Sequence, residues 1–231
     1  MKELFSLPIF GVTVTLLAYF FSGQIKKRFD YIIFNRVIVS SVIIIGILVL
    51  LNIDFEDYNK GANYISFFLG PSVVALGVFF YEKFEEMKQH LKVFLIAVFS
   101  GAIVGMLSVT VILILFSVPE VITRSLIAKS VTTPIAIEIA KITKGIPEIT
   151  AGIVMITGVL GNAVGVYFLN LLGIHDKKAI GTALGVSAHG IGTARAFEVS
   201  HISGAYSGLA MCINGVITAM LAPYVLMWLL P

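Results

Sequence analysis

Apolar residues in this chain form long unbroken runs instead of recurring at the spacing of a helix with one polar face. Each run has, or nearly has, the roughly 20 residues that a helix needs to cross the hydrocarbon core of a bilayer. The runs cover residues 4–21, 32–51, 62–81, 91–116, 149–172 and 205–230. This pattern predicts an all-α polytopic membrane protein with about seven or eight transmembrane segments.

Two further segments, residues 119–146 and 177–201, are apolar enough for a membrane but contain charges and helix-breaking glycine or proline. Each is predicted to be a discontinuous or re-entrant helix, and the choice between these decides the number of crossings. The chain is accordingly divided into a transmembrane half of four helices, residues 1–118, and a C-terminal half, residues 119–231, that carries the working site.

Composition and charge agree with a protein surrounded by lipid. Of the 231 residues, 58% are hydrophobic and 13% are charged, whereas soluble domains carry about 25% charged residues. The net charge of +3 is too small to favour nucleic acid as a partner, and the basic residues gather at the ends of the apolar runs. Those positions suit anchoring at lipid headgroups, so the bilayer is the expected partner.

Basic residues in the loops predict an orientation. Loops 22–31 and 82–92 each carry three or more basic residues, whereas loop 52–60 is mainly acidic. The positive-inside rule therefore places the first and third loops in the cytoplasm and the N-terminus outside. If the first broken segment is re-entrant, Lys177 and Lys178 also lie inside.

The two broken segments resemble each other. The sequence TPIAIE at Thr133–Glu138 and the sequence TARAFE at Thr193–Glu198 share threonine, alanine and glutamate at an offset of 60 residues. Secondary transporters build substrate sites near the membrane midplane from paired, interrupted segments of this kind. We therefore expect an internal repeat.

The first broken segment predicts a helix that stops and restarts. Pro134 cannot continue a helix but fits the first helical position, and Thr133 before it is a competent N-cap. The restarted helix leaves backbone N–H groups free at its positive end, which suits an anion. Ser130, Thr132, Thr133 and Pro134 are therefore candidate substrate-binding residues, with Lys129 in support.

The second broken segment predicts the same arrangement with different residues. Gly190 and Gly192 allow backbone close to a ligand, and Thr193 is expected to cap a helix that restarts at Ala194. Arg195 follows in that helix, where a charge costs about 2.5–3.5 kcal/mol at the membrane centre. These residues complete the candidate substrate site.

Four titratable or charged residues have open alternatives. Arg195 either forms an ion pair with Glu198 or Glu138, extends to the interface, or binds a substrate carboxylate. His189 is either a satisfied core histidine or a proton-coupling group. Glu138 is either a proton carrier or the partner of Arg195, and Glu198 could simply end its segment at the membrane surface.

Two asparagines, Asn162 and Asn214, lie inside otherwise apolar runs. We expect them to make hydrogen bonds between helices and to support the site. The sequence contains no nucleophile–base pair, phosphate loop or metal-ligand spacing, so we expect neither an enzyme nor a metal or other cofactor.

Four stretches of the chain resemble the LrgB/CidB family over nearly its whole length: KSVTTPIA at 129–136, TGVLG at 157–161, AHGIGTARA at 188–196 and NGVITAMLAP at 214–223. The family motif residues carried over to this chain are Lys129, Ser130, Thr132, Thr133, Pro134, His189, Gly192, Thr193 and Arg195. Family members often have alanine where this chain has Gly190, which adds flexibility and removes no chemistry.

The resemblance implies a multi-pass protein of the bacterial inner (plasma) membrane. The family is described as antiholin-like or holin-like, modulating murein hydrolase export and autolysis with a small LrgA/CidA-type membrane partner. It is also related to the plastid glycolate/glycerate translocator, and bacterial relatives are tied to pyruvate uptake or release.

Two functions follow from these observations. The first is secondary transport of a small monocarboxylate such as pyruvate, glycolate or glycerate, with His189 or Glu138 coupling it to protons. The alternative is a holin-like pore or its antagonist, which acts by assembly. Arginine beside two unwound segments favours transport, and the many small-residue faces are consistent with a homodimer.

Overall fold

The computed structural model describes residues 5–29, 34, 36–68, 71, 81 and 88–230. Within these residues the chain is helical, and it divides into two compact units, Met1–Val78 and Phe79–Pro231. The nine described helices are α1 Pro8–Arg28, α2 Arg36–Leu50, α3 Phe55–Phe67, α4 Leu91–Leu115, α5 Glu120–Leu126, α6 Thr133–Ile142, α7 Pro147–Leu171, α8 Lys177–Val199 and α9 His201–Leu229.

Four of the described helices are long and apolar enough to cross a membrane, namely α1, α4, α7 and α9. They match four of the predicted runs, and α2 is a shorter apolar helix within a fifth. Most of the remaining run, residues 62–81, lies outside the described residues. The all-α architecture is confirmed, and the number of crossings stays a prediction.

The first unit contains α1, α2 and α3. Helices α1 and α3 approach so closely at Gly11 and Gly61 that a side chain on either glycine would overlap the backbone of the other helix. Beside this contact the hydroxyls of Thr15 and Tyr58 lie 2.8 Å apart. Helix α3 begins inside the predicted loop 52–60, because acidic residues in its first turn suit the positive end of the helix.

The second unit contains a helical hairpin made by α5, the turns at residues 127–131 and α6. The ends of the hairpin lie together, since the Arg124 guanidinium donates to the Thr143 carbonyl at 3.3 Å. The Ile146 backbone N–H also donates to the Ser125 hydroxyl at 2.7 Å. We call this the first hairpin and residues 127–132 its tip.

A second hairpin is formed by α8, which is broken at His189, where φ is 43° and ψ is −136°. The chain folds back sharply there: a Cβ on Gly192 would lie 2.5 Å from the Leu184 carbonyl oxygen, whereas eight residues of straight helix span about 12 Å. Further from the break, Ile180 packs in one cluster with Ala196. We call residues 186–191 the tip of this second hairpin.

The long helices α7 and α9 run in opposite directions beside the two hairpins. Helix α7 begins at the open end of the first hairpin, where the Thr150 hydroxyl donates to the Ser125 carbonyl at 2.8 Å. Helix α9 begins at the open end of the second hairpin, where the Ser203 hydroxyl donates to the Lys177 carbonyl at 2.8 Å. The sequence 119–171 and the sequence 177–229 thus each form a hairpin followed by a long helix, with opposite directions.

Helix α4 packs within the second unit, because Phe94 and Val98 join Val186 and Tyr206 in one apolar cluster. The compact second unit therefore includes α4 together with the C-terminal helices. The sequence-based division after residue 118 marks a different feature, the point at which charges and helix breakers begin.

We expect Gly185→Ala to destabilise the second unit, because a Cβ there would overlap the Ser207 carbonyl oxygen of α9. Two backbones are in contact, so neither can yield as a flexible side chain would, and overpacking costs about 1–3 kcal/mol. The measurement is the melting temperature in detergent. Gly152→Ala on α7 is the matched control, since a Cβ there meets nothing within 4 Å. An equal melting temperature for the two variants would contradict this packing.

Candidate functional site

The tips of the two hairpins meet at one side chain, Asn214 of α9. Its amide nitrogen donates to the Ser130 carbonyl of the first tip and to the Val186 carbonyl of the second tip, each at 3.1 Å. The Asn214 side chain is buried, 1% exposed, near the middle of α9. An amide NH₂ has two donors, so this one residue can hold both tips at once.

A cavity of about 860 Å³ lies between α4 and the first limb of α8 and reaches the first tip. Its α4 wall is apolar, with Val93, Ala97 and Val104. Its α8 wall carries Asp176, Lys178, Thr182 and Ser187; Lys178 and Thr182, four residues apart, share one face of the helix. The cavity therefore has one apolar side and one polar side.

Lys129 and Ser130 line the same cavity at the first tip. The Lys129 ammonium donates to the Ser130 hydroxyl at 3.0 Å. None of the ion pairs formed by the described acidic residues includes Lys129. A half-buried ammonium with one hydroxyl partner keeps donors for an anion, since lysine has three.

The second tip is fastened to α7 by two side chains. A ring nitrogen of His189, Nε2, lies 3.0 Å from the Val154 carbonyl oxygen, and the imidazole is 4% exposed. The Asn162 amide donates to the Ile191 carbonyl at 2.6 Å. Gly158 makes room for this contact, because a Cβ there would lie 2.7 Å from the imidazole.

The sequence profile of the LrgB-like family matches residues 15–228. The chain belongs to the LrgB family. With 31% identity, YwbG of Bacillus subtilis (strain 168) covers 94% of this chain and 97% of its own length. A Haemophilus influenzae protein is 34% identical over 92% of each chain. The antiholin-like protein LrgB of Bacillus cereus (strain B4264) is 30% identical over 94% of each chain. No solved structure matches the chain.

Membership in the LrgB family and the apolar helices together identify a multi-pass membrane protein. The family resemblance given by the sequence motifs is thereby confirmed. Both motif-bearing segments lie in the described part of the chain, one in each hairpin.

In the first hairpin the break is where the sequence predicts it, but its cap differs. Helix α6 begins at Thr133, so Thr132 is the N-cap and Pro134 occupies an early helical position. The prediction of Thr133 as the cap was wrong by one residue. Proline fits the second helical position as well as the first, because the first four N–H groups of a helix have no partner within the helix. Of the predicted residues here, Lys129 and Ser130 line the cavity.

In the second hairpin the predicted restart at Ala194 was wrong. His189 takes the whole change of direction with its positive φ, so the returning limb starts at Gly190. Thr193 is already one turn inside that limb: its hydroxyl donates to the His189 carbonyl and lies 2.9 Å from the Ser207 hydroxyl. It therefore ties the tip to α9 and caps nothing.

Three of the predicted charged residues, Arg195, Glu138 and Glu198, are absent from the cavity lining. Arg195 donates to Glu198 at 2.6 Å, which is one of the predicted alternatives. Glu138 is exposed and pairs with Lys141 at 2.7 Å, so the alternative pairing of Glu138 with Arg195 was wrong. Each acid pairs with a basic residue three positions away in its own helix, because that spacing places both side chains on one face.

Sequence reasoning missed Lys178, Thr182 and Ser187, although Lys178 and Thr182 lie one helical turn apart, which was a usable signal. Asn162 and Asn214, in contrast, make the interhelical hydrogen bonds that the sequence predicted. The polar wall of the cavity thus comes from residues outside the family motif.

We expect His189→Gly to melt at a higher temperature than His189→Ala. The backbone of residue 189 is strained for any side chain, at a cost of about 1–3 kcal/mol, and glycine adopts it freely. Ala194→Gly is the control, because Ala194 is exposed and helical in the returning limb. Glycine there should lower the free energy of unfolding by about 1 kcal/mol, its ordinary cost in a helix. A lower melting temperature for His189→Gly than for His189→Ala would contradict the break at His189.

Proposed function

We propose that this LrgB-family protein is a secondary carrier of small monocarboxylate anions of the pyruvate, glycolate or glycerate type. The observation that supports it best is the meeting of both hairpin tips at Asn214, beside a cavity in which the Lys129 ammonium has no acidic partner among the described residues. Carriers bind their substrates where interrupted helices from two repeats come together near the membrane midplane.

In this proposal the hairpins are re-entrant and enter the membrane from opposite sides. The first limb of α8, residues 177–188, is about 18 Å long at 1.5 Å per residue, whereas the hydrocarbon core is about 30 Å thick. This limb therefore reaches past the midplane without crossing, and the ten residues of α6 span about 15 Å, half of the core. Helices α4, α7 and α9 cross. The opposite directions of α7 and α9 support an inverted repeat.

Lys129 is assigned the first contact with the substrate carboxylate. An ammonium inside a membrane protein is costly unless an anion or polar group compensates it, and Ser130 supplies one such group. Arg195 pairs with Glu198 and does not line the cavity, so we assign it a later or supporting contact. The hydroxyls of Thr182 and Ser187 lie along the polar wall that leads to Lys129.

Proton coupling is part of the proposal, and His189 is its stronger candidate. The imidazole is enclosed by protein at the second tip, where a change of protonation would alter its contact with the Val154 carbonyl. Glu138 is exposed and already paired with Lys141, so it has less influence on the tips.

A second candidate function is favoured by the name of the Bacillus cereus relatives, antiholin-like protein LrgB. In that case the protein acts by assembly in a bacterial inner membrane, with itself or with an LrgA/CidA-type partner, and modulates murein hydrolase export. This function places no special demand on Lys129.

Proteoliposome uptake separates the two functions. Labelled pyruvate and glycolate are offered to purified protein with and without a pH gradient, and leakage of a larger trapped dye is followed in parallel. Saturable uptake with the dye retained supports the carrier, and a dependence on the gradient supports proton coupling. Leakage that is indifferent to solute size would rule the carrier out and favour the assembly.

A further inference from the structure

Gly105 of α4 lies where the cavity meets the two hairpin tips. It lines the large cavity together with Lys129 and Ser130. It also lines a second cavity of about 10 Å³, which borders Ser130, Val186 and Asn214. Gly105 is therefore next to the proposed carboxylate contact and to the point where the tips meet.

The space in front of Gly105 is open. A Cβ built there meets nothing within 4 Å, whereas a Cβ on Gly101, one turn earlier, would lie 3.0 Å from the Val186 side chain. Gly101 thus serves the packing of α4 against the second hairpin. At Gly105 the missing side chain instead leaves free volume inside the cavity.

The cavity is much larger than a three-carbon acid needs. At about 860 Å³ it falls in the range of about 300–1,000 Å³ that is typical of sites for drug-sized ligands. On its apolar α4 wall, Val104 and Ala97 suit a hydrocarbon tail. A carboxylate held at Lys129 would therefore direct its tail along α4, past Gly105.

Building on the proposed function, we infer that Gly105 is the residue that sets tail length, and that the site takes 2-oxo monocarboxylates with apolar tails longer than that of pyruvate. A side chain at position 105 would occupy the space of the tail and leave the carboxylate contact in place.

The test compares uptake of pyruvate, 2-oxobutanoate and 2-oxohexanoate by proteoliposomes containing the wild type, Gly105→Leu or Gly152→Leu. The wild type is expected to take up all three acids. Gly105→Leu should lower uptake of 2-oxohexanoate about tenfold or more relative to its uptake of pyruvate, as expected when a pocket loses room for methylene groups. Gly152 is the matched control, because it is equally free of neighbours but lies outside the cavity.

Two results would overturn the inference while leaving the carrier intact. One is a wild type that transports pyruvate but rejects 2-oxohexanoate, and the other is a Gly105→Leu variant that changes all three rates by the same factor. Absence of saturable uptake of any of the acids would instead contradict the proposed function itself.

Discussion

Asn214→Asp is expected to abolish uptake and to lower the melting temperature, although it changes only an amide into a carboxylate of the same shape. The wild-type nitrogen donates to the Ser130 and Val186 carbonyls. Aspartate offers an oxygen in its place, so three oxygens would face each other in a buried site. Leaving a buried acceptor unpaired costs about 1–3 kcal/mol, and the repulsion adds to this.

Asn214→Leu should show the same loss without the added charge, because it too leaves both carbonyls unpaired. Uptake in proteoliposomes and the melting temperature in detergent are the two measurements. Asn170→Asp is the control, since Asn170 is exposed near the end of α7 and its amide oxygen lies 3.2 Å from a ring nitrogen of His175, away from both tips. Normal uptake by Asn214→Asp would show that the tips do not depend on this bridge.

Lys129→Gln is expected to reduce uptake by about 10- to 100-fold while the protein still folds. A hydrogen bond to a charged group contributes about 1.5–3 kcal/mol, and each 1.4 kcal/mol changes an equilibrium constant tenfold. Glutamine can still donate to the Ser130 hydroxyl, so the structure of the tip is spared. Initial rates over a range of substrate concentrations will show whether the loss lies in the apparent affinity, as a binding role requires.

The control for this change is Lys141→Gln, on the returning limb of the same hairpin. That lysine is exposed and pairs with Glu138, so its loss should leave uptake unchanged. Lys129→Arg keeps the charge with a larger head and should retain part of the activity. Equal rates for the wild type and Lys129→Gln would remove Lys129 from the substrate site.

Much of the architecture was predictable because it follows from local physical rules. Unbroken apolar runs predicted the long helices α1, α4, α7 and α9. Pro134 predicted the break in the first hairpin, because a ring without an N–H starts helices well and continues them badly. The N-cap lies at Thr132, one residue before the predicted Thr133, which is a small error for a helix start located from a single proline.

The position of the second break was harder to predict, because each of four glycines between residues 181 and 192 permits a break in the helix. Three of these glycines are explained by close packing instead: Gly181 and Gly185 touch α9 backbone, and Gly192 touches Leu184. The break falls on His189, whose side chain is held by Val154 and whose conformation is rare for a non-glycine residue. Only tertiary contacts select that position.

The meeting of the tips was beyond sequence reasoning, because it joins residues far apart in the chain. Asn214 contacts Ser130 across 84 positions and Val186 across 28. The sequence indicated which polar residues lie in apolar surroundings, but the partner of each depends on how the hairpins fold. For the same reason it stressed Arg195, whereas Lys129 is the basic residue that lines the cavity near the tips.

Solute counterflow tests the central claim most directly, that a carboxylate binds at Lys129 where the two hairpins meet. Proteoliposomes loaded with unlabelled pyruvate are diluted into labelled pyruvate, and the internal label is followed with time. A carrier with this site should accumulate label transiently above equilibrium in the wild type and in Lys141→Gln, and show a much slower and smaller overshoot in Lys129→Gln. A wild type that only rises to equilibrium, or an undiminished overshoot in Lys129→Gln, would contradict it.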